Sequence, residues 1–355
     1  IRILRRGRAG RGYAGAGLAL AIALGAMADE RVVLPEIVVT PGREPEARLT
    51  VPATVDRISL RDEGIGGLRR SFPEVLRDTP SVMSQKTAHG MGSPYLRGFT
   101  GFRTLALIDG IRLNNSVFRE GPNPYWATLD PASLERIEVV LGPASVLYGS
   151  DAIGGAVNAL PATPPDTVGW HGQARYRGST AEASHGGRLE LAGRPAESLG
   201  VLGGFTVNTF GDLRGGRNVG RQRRTGYDER AADARLLWDF DANRRLTLAH
   251  QSVRQDDVWR THRTVYGLTW KGLQRGDDLV HVFDQARDLT YARIESADGD
   301  PMLTVYRHAQ SEDLYRRRSD RRAEVQGFDV AAWGISAQST RAFGASRWTL
   351  GTEYQ

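Results

Sequence analysis

The residues best suited to chemistry gather in two polar stretches rich in glycine and proline, 84–95 and 115–127. His89 offers an imidazole that can ligate a metal, Arg119 a fork for carboxylates, and Tyr95, Tyr125 and Trp126 broad faces for a flat molecule. A later segment, Trp259-Arg260-Thr261-His262-Arg263, adds a second histidine, His262. For each of these side chains the alternative is ordinary loop packing. No catalytic constellation accompanies them: the chain contains no H-E-x-x-H, G-x-S-x-G or P-loop pattern, and its seven histidines are scattered, so no enzyme is expected. With no cysteine there is no disulfide framework, thiolate metal site or thiol nucleophile, which suits passage through an oxidising compartment. Asp256-Asp257 and Asp277-Asp278 lack the spacing of a calcium loop and read as solvated loop charges. No cofactor and no resident metal are expected.

The formal charge of +6 points first to a nucleic-acid binder. Five of the 47 basic residues are Arg2, Arg5, Arg6, Arg8 and Arg11, in a 28-residue leader that holds no acid. Without them 42 basic residues face 41 acidic ones, which leaves no phosphate-seeking field. The same leader has a basic run, an apolar stretch from Ala14 to Ala26, and Ala26-Met27-Ala28 before Asp29, the three parts of a secretory signal peptide. The apolar stretch is shorter than the roughly 20 residues of a membrane-spanning helix. The chain opens on Ile1 and ends at Tyr354-Gln355 inside what reads as a strand, so it is expected to be a piece of a longer protein.

Elements must hold the two polar stretches in place. Glu36-Ile37-Val38-Val39-Thr40 is a strand-former bracketed by Pro35 and Pro41, which should isolate it from any sheet of its own chain and leave it open to a partner's sheet edge; an ordinary edge strand is the alternative. Residues 53–160 carry α+β punctuation. Ser71-Phe72-Pro73-Glu74 reads as a capping box opening a helix over 74–78. Thr104–Ile108 reads as a buried strand, and Asp109-Gly110 as a hairpin turn into 111–113. Asp130-Pro131 should cap a short helix over 132–135, 136–140 should form a strand, and Gly149 should end a helical turn begun by Pro143.

Four ordered blocks in this region carry a family resemblance. They are Pro73-Glu74-Val75-Leu76-Arg77-Asp78-Thr79-Pro80; Leu96-Arg97-Gly98-Phe99; Leu107-Ile108-Asp109-Gly110-Ile111-Arg112; and Glu135-Arg136-Ile137-Glu138-Val139-Val140-Leu141-Gly142-Pro143 followed by Leu147-Tyr148-Gly149-Ser150-Asp151. In order and spacing they resemble the plug domain of TonB-dependent outer-membrane receptors. The resemblance is strong over about 36–160. Arg97, Gly98, Asp109, Gly110, Arg136, Glu138, Gly142, Pro143, Tyr148 and Gly149 are its motif positions, and Glu36–Thr40 is similar to a TonB box. Two departures stand out. Leu141 occupies the place of an arginine that helps lock plug to barrel, and Ala159-Leu160-Pro161 should break the strand that usually continues there.

From Trp170 the apolar period becomes two. Trp170, Gly172, Ala174 and Tyr176 alternate with His171, Gln173, Arg175 and Arg177, and Ala232, Ala234, Leu236, Trp238 and Phe240 alternate with Asp233, Arg235 and Asp239. An outer-membrane barrel wall needs this pattern, whereas a soluble β-sandwich is the alternative. Long polar segments at 211–230 and 255–288 read as loops. Eight or nine strands are expected, against about 22 in a plugged outer-membrane transporter. The fold class is therefore an α+β plug followed by an incomplete antiparallel transmembrane β-barrel. Its divisions are a leader at 1–28, a TonB box and linker at 29–52, a plug at 53–164 and a partial barrel at 165–355.

The resemblance implies energised uptake of a scarce ligand through the outer membrane. The partners it implies are a TonB-type periplasmic protein, outer-membrane lipid, and a ferric siderophore, haem or cobalamin as ligand. His89, Tyr95, Arg119, Tyr125, Trp126 and His262 then become candidates for gripping an iron complex. A surface-binding barrel without transport, and a secreted soluble β-rich enzyme, are the alternatives.

Overall fold

The computed structural model describes residues 37–38, 46–47, 53–61, 69–296, 300–344 and 346–355. The expected leader lies outside the described residues, as do Glu36, Val39 and Thr40. Strand β1 (Ile37–Val38) pairs antiparallel with β2 (Glu46–Ala47), Ile37 opposite Ala47 and Val38 opposite Glu46. The bracketing prolines therefore do not prevent pairing within the chain. Among the described residues this ribbon is two pairs long and lies apart from the larger sheets.

The plug contains β3 (Thr54–Ser59), α1 (Phe72–Leu76), β4 (Val82–Ala88), β5 (Met91–Leu96), β6 (Thr104–Ile108), β7 (Ile111–Arg112), β8 (Leu134–Leu141), α2 (Ser145–Tyr148) and β9 (Gly155–Pro161). Its main sheet has the order β3-β8-β9-β6-β7, with β6 and β9 parallel and the other pairs antiparallel; β4 and β5 form a separate hairpin. Every residue of β6 is buried, as its unbroken Thr-Leu-Ala-Leu-Ile run requires of a strand covered on both faces. Asp109 and Gly110, at φ 50° and 79°, make the tight turn into β7.

Three local expectations need correction. Helix α1 starts two residues earlier than expected, and Glu74 accepts from the Arg70 amide at 3.1 Å instead of closing a box with Ser71. The expected helix over 132–135 is a 3₁₀ turn at Pro131–Ser133, capped by Asp130 accepting from Ala132 N at 2.9 Å. Strand β9 runs through Ala159 and Leu160, and Pro161 ends it, a position where a missing N–H costs little.

The remaining strands form one antiparallel meander: β10 (Gly169–Ser179), β11 (Ser184–Ala196), β12 (Leu199–Phe210), β13 (Tyr227–Asp241), β14 (Arg244–Trp259), β15 (Asp278–Ser296), β16 (Met302–Arg318), β17 (Ala323–Phe343) and β18 (Ser346–Tyr354). Among the described residues β10 and β18 each have one neighbour, so the sheet does not close. Connections 180–183, 211–226, 260–277 and 319–322 lie at one end, the loop end. Connections 197–198, 242–243, 297–301 and 344–345 lie at the other, the turn end. The loops are shorter than the sequence implied, because β13, β14 and β15 continue through charged residues such as Asp228, Asp256 and Asp284. A bilayer needs only about 9–11 residues of a tilted strand, so strands of this length project beyond it and their ends carry charge without penalty.

The polarity of the wall decides between barrel and sandwich. Arg188, Arg287 and Arg293 point inward and are buried against the plug, while Leu189, Phe205 and Trp238 are exposed on the outer face. A soluble sandwich would invert this pattern. The plug core is completed by the wall: Phe72, Leu76, Trp126, Ile137 and Val157 share one apolar cluster with Ala249, Leu289, Tyr291 and Tyr306 of the barrel. Among the described residues no helix is long and apolar enough to cross a membrane.

Candidate functional site

The β4–β5 hairpin carries His89 up to the loop end. Its ring lies edge-on to Phe210 and Tyr227, with both centroids at 5.5 Å, and those two rings stack at 4.5 Å. His89 Nε2 sits 3.2 Å from Arg70 Nη1, so it accepts while the neutral ring keeps its proton on Nδ1. Arg70 also pairs with Glu74 and with Glu182 of the 180–183 connection, both at 2.8 Å, and Lys86 pairs with Glu74. Burial raises the Glu74 carboxyl, but Lys86 and Arg70 outweigh it and hold it at about 2. Burial pushes His89 down, helped by Lys86 and Arg70, to about 4.

Beside this network lies a cavity of about 670 Å³ lined by Lys86, Thr87, His89, Pro122, Leu213, Arg260 and Thr261. Arg260 gives it a positive wall. Its Nε is buried without a hydrogen-bond partner. Burial and the positive fields of Arg119 and Arg263 weaken its hold on its proton, against the opposing pull of Glu312. A guanidinium so placed favours an incoming anion.

The candidate side chains divide between surface and interior. Arg119 is exposed. Tyr125 packs against Phe118 and Phe328 at 5.5 and 5.7 Å, and burial raises its hydroxyl. Tyr95 donates to Gln85 at 2.7 Å along the hairpin. Trp126 is 1 % exposed and stacks on Phe72, which makes it part of the core. The backbone at His262 belongs to a 3₁₀ turn, Thr261–Arg263, and its side chain lies outside the described residues. The sequence reading missed Arg70, Lys86 and Arg260 as cavity residues; Arg260 stood two positions from a histidine that was singled out. Asp278 is not a solvated charge. It is fully buried and accepts from Arg316 at 3.0 Å, with His281 at 3.0 Å. Among the described residues no group of three metal-binding side chains gathers.

Ties between plug and wall occur at several heights. Thr206 donates to Asp130 at 2.7 Å, Arg61 pairs with Glu190 at 2.7 Å, and Arg287 donates to the Thr128 carbonyl at 3.0 Å. Nearer the turn end Asp109 accepts from Arg235 at 3.0 Å, pairs with Arg293 at 3.2 Å and accepts from the Tyr291 hydroxyl. Burial raises the Asp109 carboxyl, but Arg293 and Arg235 hold it well below the usual carboxylate range.

The family model described as the TonB-dependent receptor plug domain matches residues 48–156. Those residues form a plug domain of the TonB-dependent receptor type. It is 32% identical over 142 residues to a protein named vitamin B12 transporter BtuB from Vibrio vulnificus, which covers 37% of this chain and 23% of that protein. It is 34% identical over 147 residues to an iron-regulated outer membrane virulence protein of Vibrio cholerae, with 38% and 21% covered. Among solved structures, the siderophore receptor PirA from Acinetobacter baumannii superposes with a TM-score of 0.62 at 17% identity over 84% of this chain and 47% of that one. FpvA of P. aeruginosa does so at 0.66 and 14%, over 90% and 44%. At such identity the structures speak for the fold. The chain spans about a fifth of the length of these curated relatives and under half of these solved receptors.

At Leu141, where the resemblance implies an arginine, no plug-to-wall ion pair is possible. Leu141 is buried at a ladder end between Thr54 and Gly155, with no charge to offer. The plug motif instead supplies Asp109, the reverse polarity, to arginines of the wall. Arg97 and Gly98, at φ 49° and 86°, form a turn, and Arg97 is exposed, 3.5 Å from Thr54 Oγ1. Arg136 pairs with the buried Glu138 at 3.2 Å, Gly142 takes φ 113°, and Gly149 at φ 72° ends α2 after the buried Tyr148.

His89 predicts a pH dependence. A buried neutral histidine whose pKa falls from 6.5 to about 4 on folding contributes stability that is complete above pH 6.5. That contribution drains as pH drops towards 4 and amounts to about 3 kcal/mol at most. Lys86 and Arg70 deepen the effect, and Glu74 and Glu182 moderate it. Thermal unfolding in detergent should show the plug transition weakening between pH 6.5 and 4. In His89→Gln that slope should flatten; an unchanged slope would assign the pH dependence to other groups.

Proposed function

We propose that this receptor is an outer-membrane transporter for an anionic iron complex, a ferric siderophore before haem. The ligand binds in the loop-end cavity, and a TonB-type periplasmic protein engages Glu36–Thr40 to drive release inward. The observation that carries this reading is Arg260, half-buried with an unpartnered Nε at the wall of an outward cavity and set among Arg119 and Arg263. A site with excess guanidinium selects carboxylate, catecholate or hydroxamate oxygens. Haem ranks behind because the Nε2 of His89 is already engaged by Arg70. Cobalamin is kept as a second reading on one observation, the 32% identity to proteins named vitamin B12 transporters. The apolar outer face and inward charge support an outer-membrane location.

The test is a titration of the detergent-purified receptor, followed by tryptophan fluorescence, with ferric enterobactin, haem and cyanocobalamin in turn. Saturable quenching is expected with the ferric chelate, and Arg260→Gln should weaken it about tenfold, the effect of losing one charge-assisted hydrogen bond. Saturation by cyanocobalamin alone would put the second reading first. Binding of none of the three by a folded receptor would favour a surface-binding barrel.

A further inference from the structure

A second cavity, of about 460 Å³, lies at the opposite, turn end between the plug sheet and the wall of β13–β17. It is lined by Arg136 and Asn158 of the plug and by Arg245, Glu295 and Gln338 of the barrel, with the Asp109 turn at its edge. Its walls are polar on both sides, and its volume is within the range of small-molecule sites. The transport reading places the ligand at the loop end and does not use this space.

The Asp109 cluster is unlike the other ties between plug and wall. At 127–130 successive residues are held: Ala127 and Thr128 by their carbonyls, to Gln255 and Arg287, and Asp130 by its side chain to Thr206. At the second cavity a single residue, on a two-residue turn, carries the contacts to Arg235, Arg293 and Tyr291. The amides of Asp109 and Gly110 are held by Ala159 O and Asn158 Oδ1 of the plug itself, at 2.9 and 3.0 Å, so the turn leaves the wall by giving up only the contacts of Asp109 to Arg235, Arg293 and Tyr291. When it moves, the two guanidiniums, which line the cavity, lose their anion.

We propose that Asp109 is the resident anion of a two-arginine site, and that outgoing anionic cargo takes its place at Arg235 and Arg293 as the Asp109-Gly110 turn withdraws, so the exit path follows the β13–β17 wall. This rests on the transport reading above. The exchange explains how the turn opens without stranding two buried cations: carboxylate gives way to the cargo's oxygens, and charge stays balanced throughout.

These 355 residues hold no cysteine, and any cysteine elsewhere in the receptor is first replaced by serine. In the full-length receptor in cells, Ile111→Cys, one residue past the turn, is joined to Leu237→Cys across the cavity by a reducible bis-methanethiosulfonate linker, which leaves Asp109, Arg235 and Arg293 in place. Asp130→Cys with Thr206→Cys is joined the same way as the control. Uptake of radio-iron enterobactin should fall to the background of cells lacking the energy-coupling protein when the first pair is linked, and recover on reduction. It should persist when the control pair is linked. Uptake through a linked 111–237 pair would overturn the proposal, and so would a block by both linkers, which would mean the plug moves as one body. A second readout needs no cargo. A single Leu237→Cys beside the cavity should react with an impermeant maleimide in energised cells and stay protected in de-energised ones; equal labelling in both would overturn the exit path. Failure of the unlinked receptor to take up any probe, with energised labelling intact, would instead count against the transport reading.

Discussion

Asp109→Asn is expected to loosen the plug from its wall by about 3 kcal/mol, among the largest effects of any single polar substitution in this chain. The reason is what remains behind. Arg235 and Arg293 are each about a tenth exposed at the side chain, and both face Asp109. Removing the carboxylate charge leaves two like charges close together with their common counter-ion gone. Removing one member of a buried pair typically costs 3–5 kcal/mol, and the lower end applies here because water reaches the adjoining cavity. Urea unfolding of the plug, followed by a fluorophore on the β4–β5 hairpin, should show the loss as an earlier midpoint with little change in slope. Arg235→Gln in the Asp109→Asn background should restore part of it, since one stranded cation is then removed. A single variant within about 0.5 kcal/mol of the parent would show that the cluster does not fasten the plug. Because the Asp109 carboxyl is held low, its contribution is complete above its unfolded value near 3.8 and is lost only as pH falls through its lower folded value. The latch should therefore hold over the acid range in which His89 weakens the other end.

Local chemistry was legible in the sequence to the extent that it was local. The Asp109-Gly110 turn, the Gly149 helix end and the buried run at 104–108 are set by neighbours a few residues apart, as is the alternation from Trp170 onward, where eight or nine strands were expected and nine are found. Trp126 was legible only as an aromatic in a polar stretch, and a tryptophan beside Tyr125 and Pro124 gives no sign of which ring turns inward. The partners of Asp109 lie 126, 182 and 184 residues away. They become neighbours through the register of the β13–β15 ladders, and a slip of one residue would turn Arg235 to the lipid side. In the sequence Arg235 and Arg293 are therefore no more than inward-facing polar positions. Loop lengths were overestimated because charged residues were taken as the end of a strand, whereas β13, β14 and β15 continue through them.

Val38→Pro is expected to abolish energised uptake while leaving ligand binding unchanged. A TonB-type partner adding a strand to Glu36–Thr40 would depend on backbone hydrogen bonds, and proline removes the donor at the centre of the segment. The structure adds a competitor, because Val38 already faces Glu46 in the β1–β2 ribbon. A two-stranded ribbon outside the larger sheets is marginal on its own. Such a ribbon keeps a strand-former paired until a longer edge arrives and is then readily displaced. Val38→Thr, which keeps the donor and the β-branch, should transport normally. Fluorescence titration should give all three proteins the same affinity, because the loop-end cavity lies on other elements. If Val38→Pro lost binding as well, the segment would have a role in the plug's own fold. If it still transported, coupling would have to run through a different part of the chain.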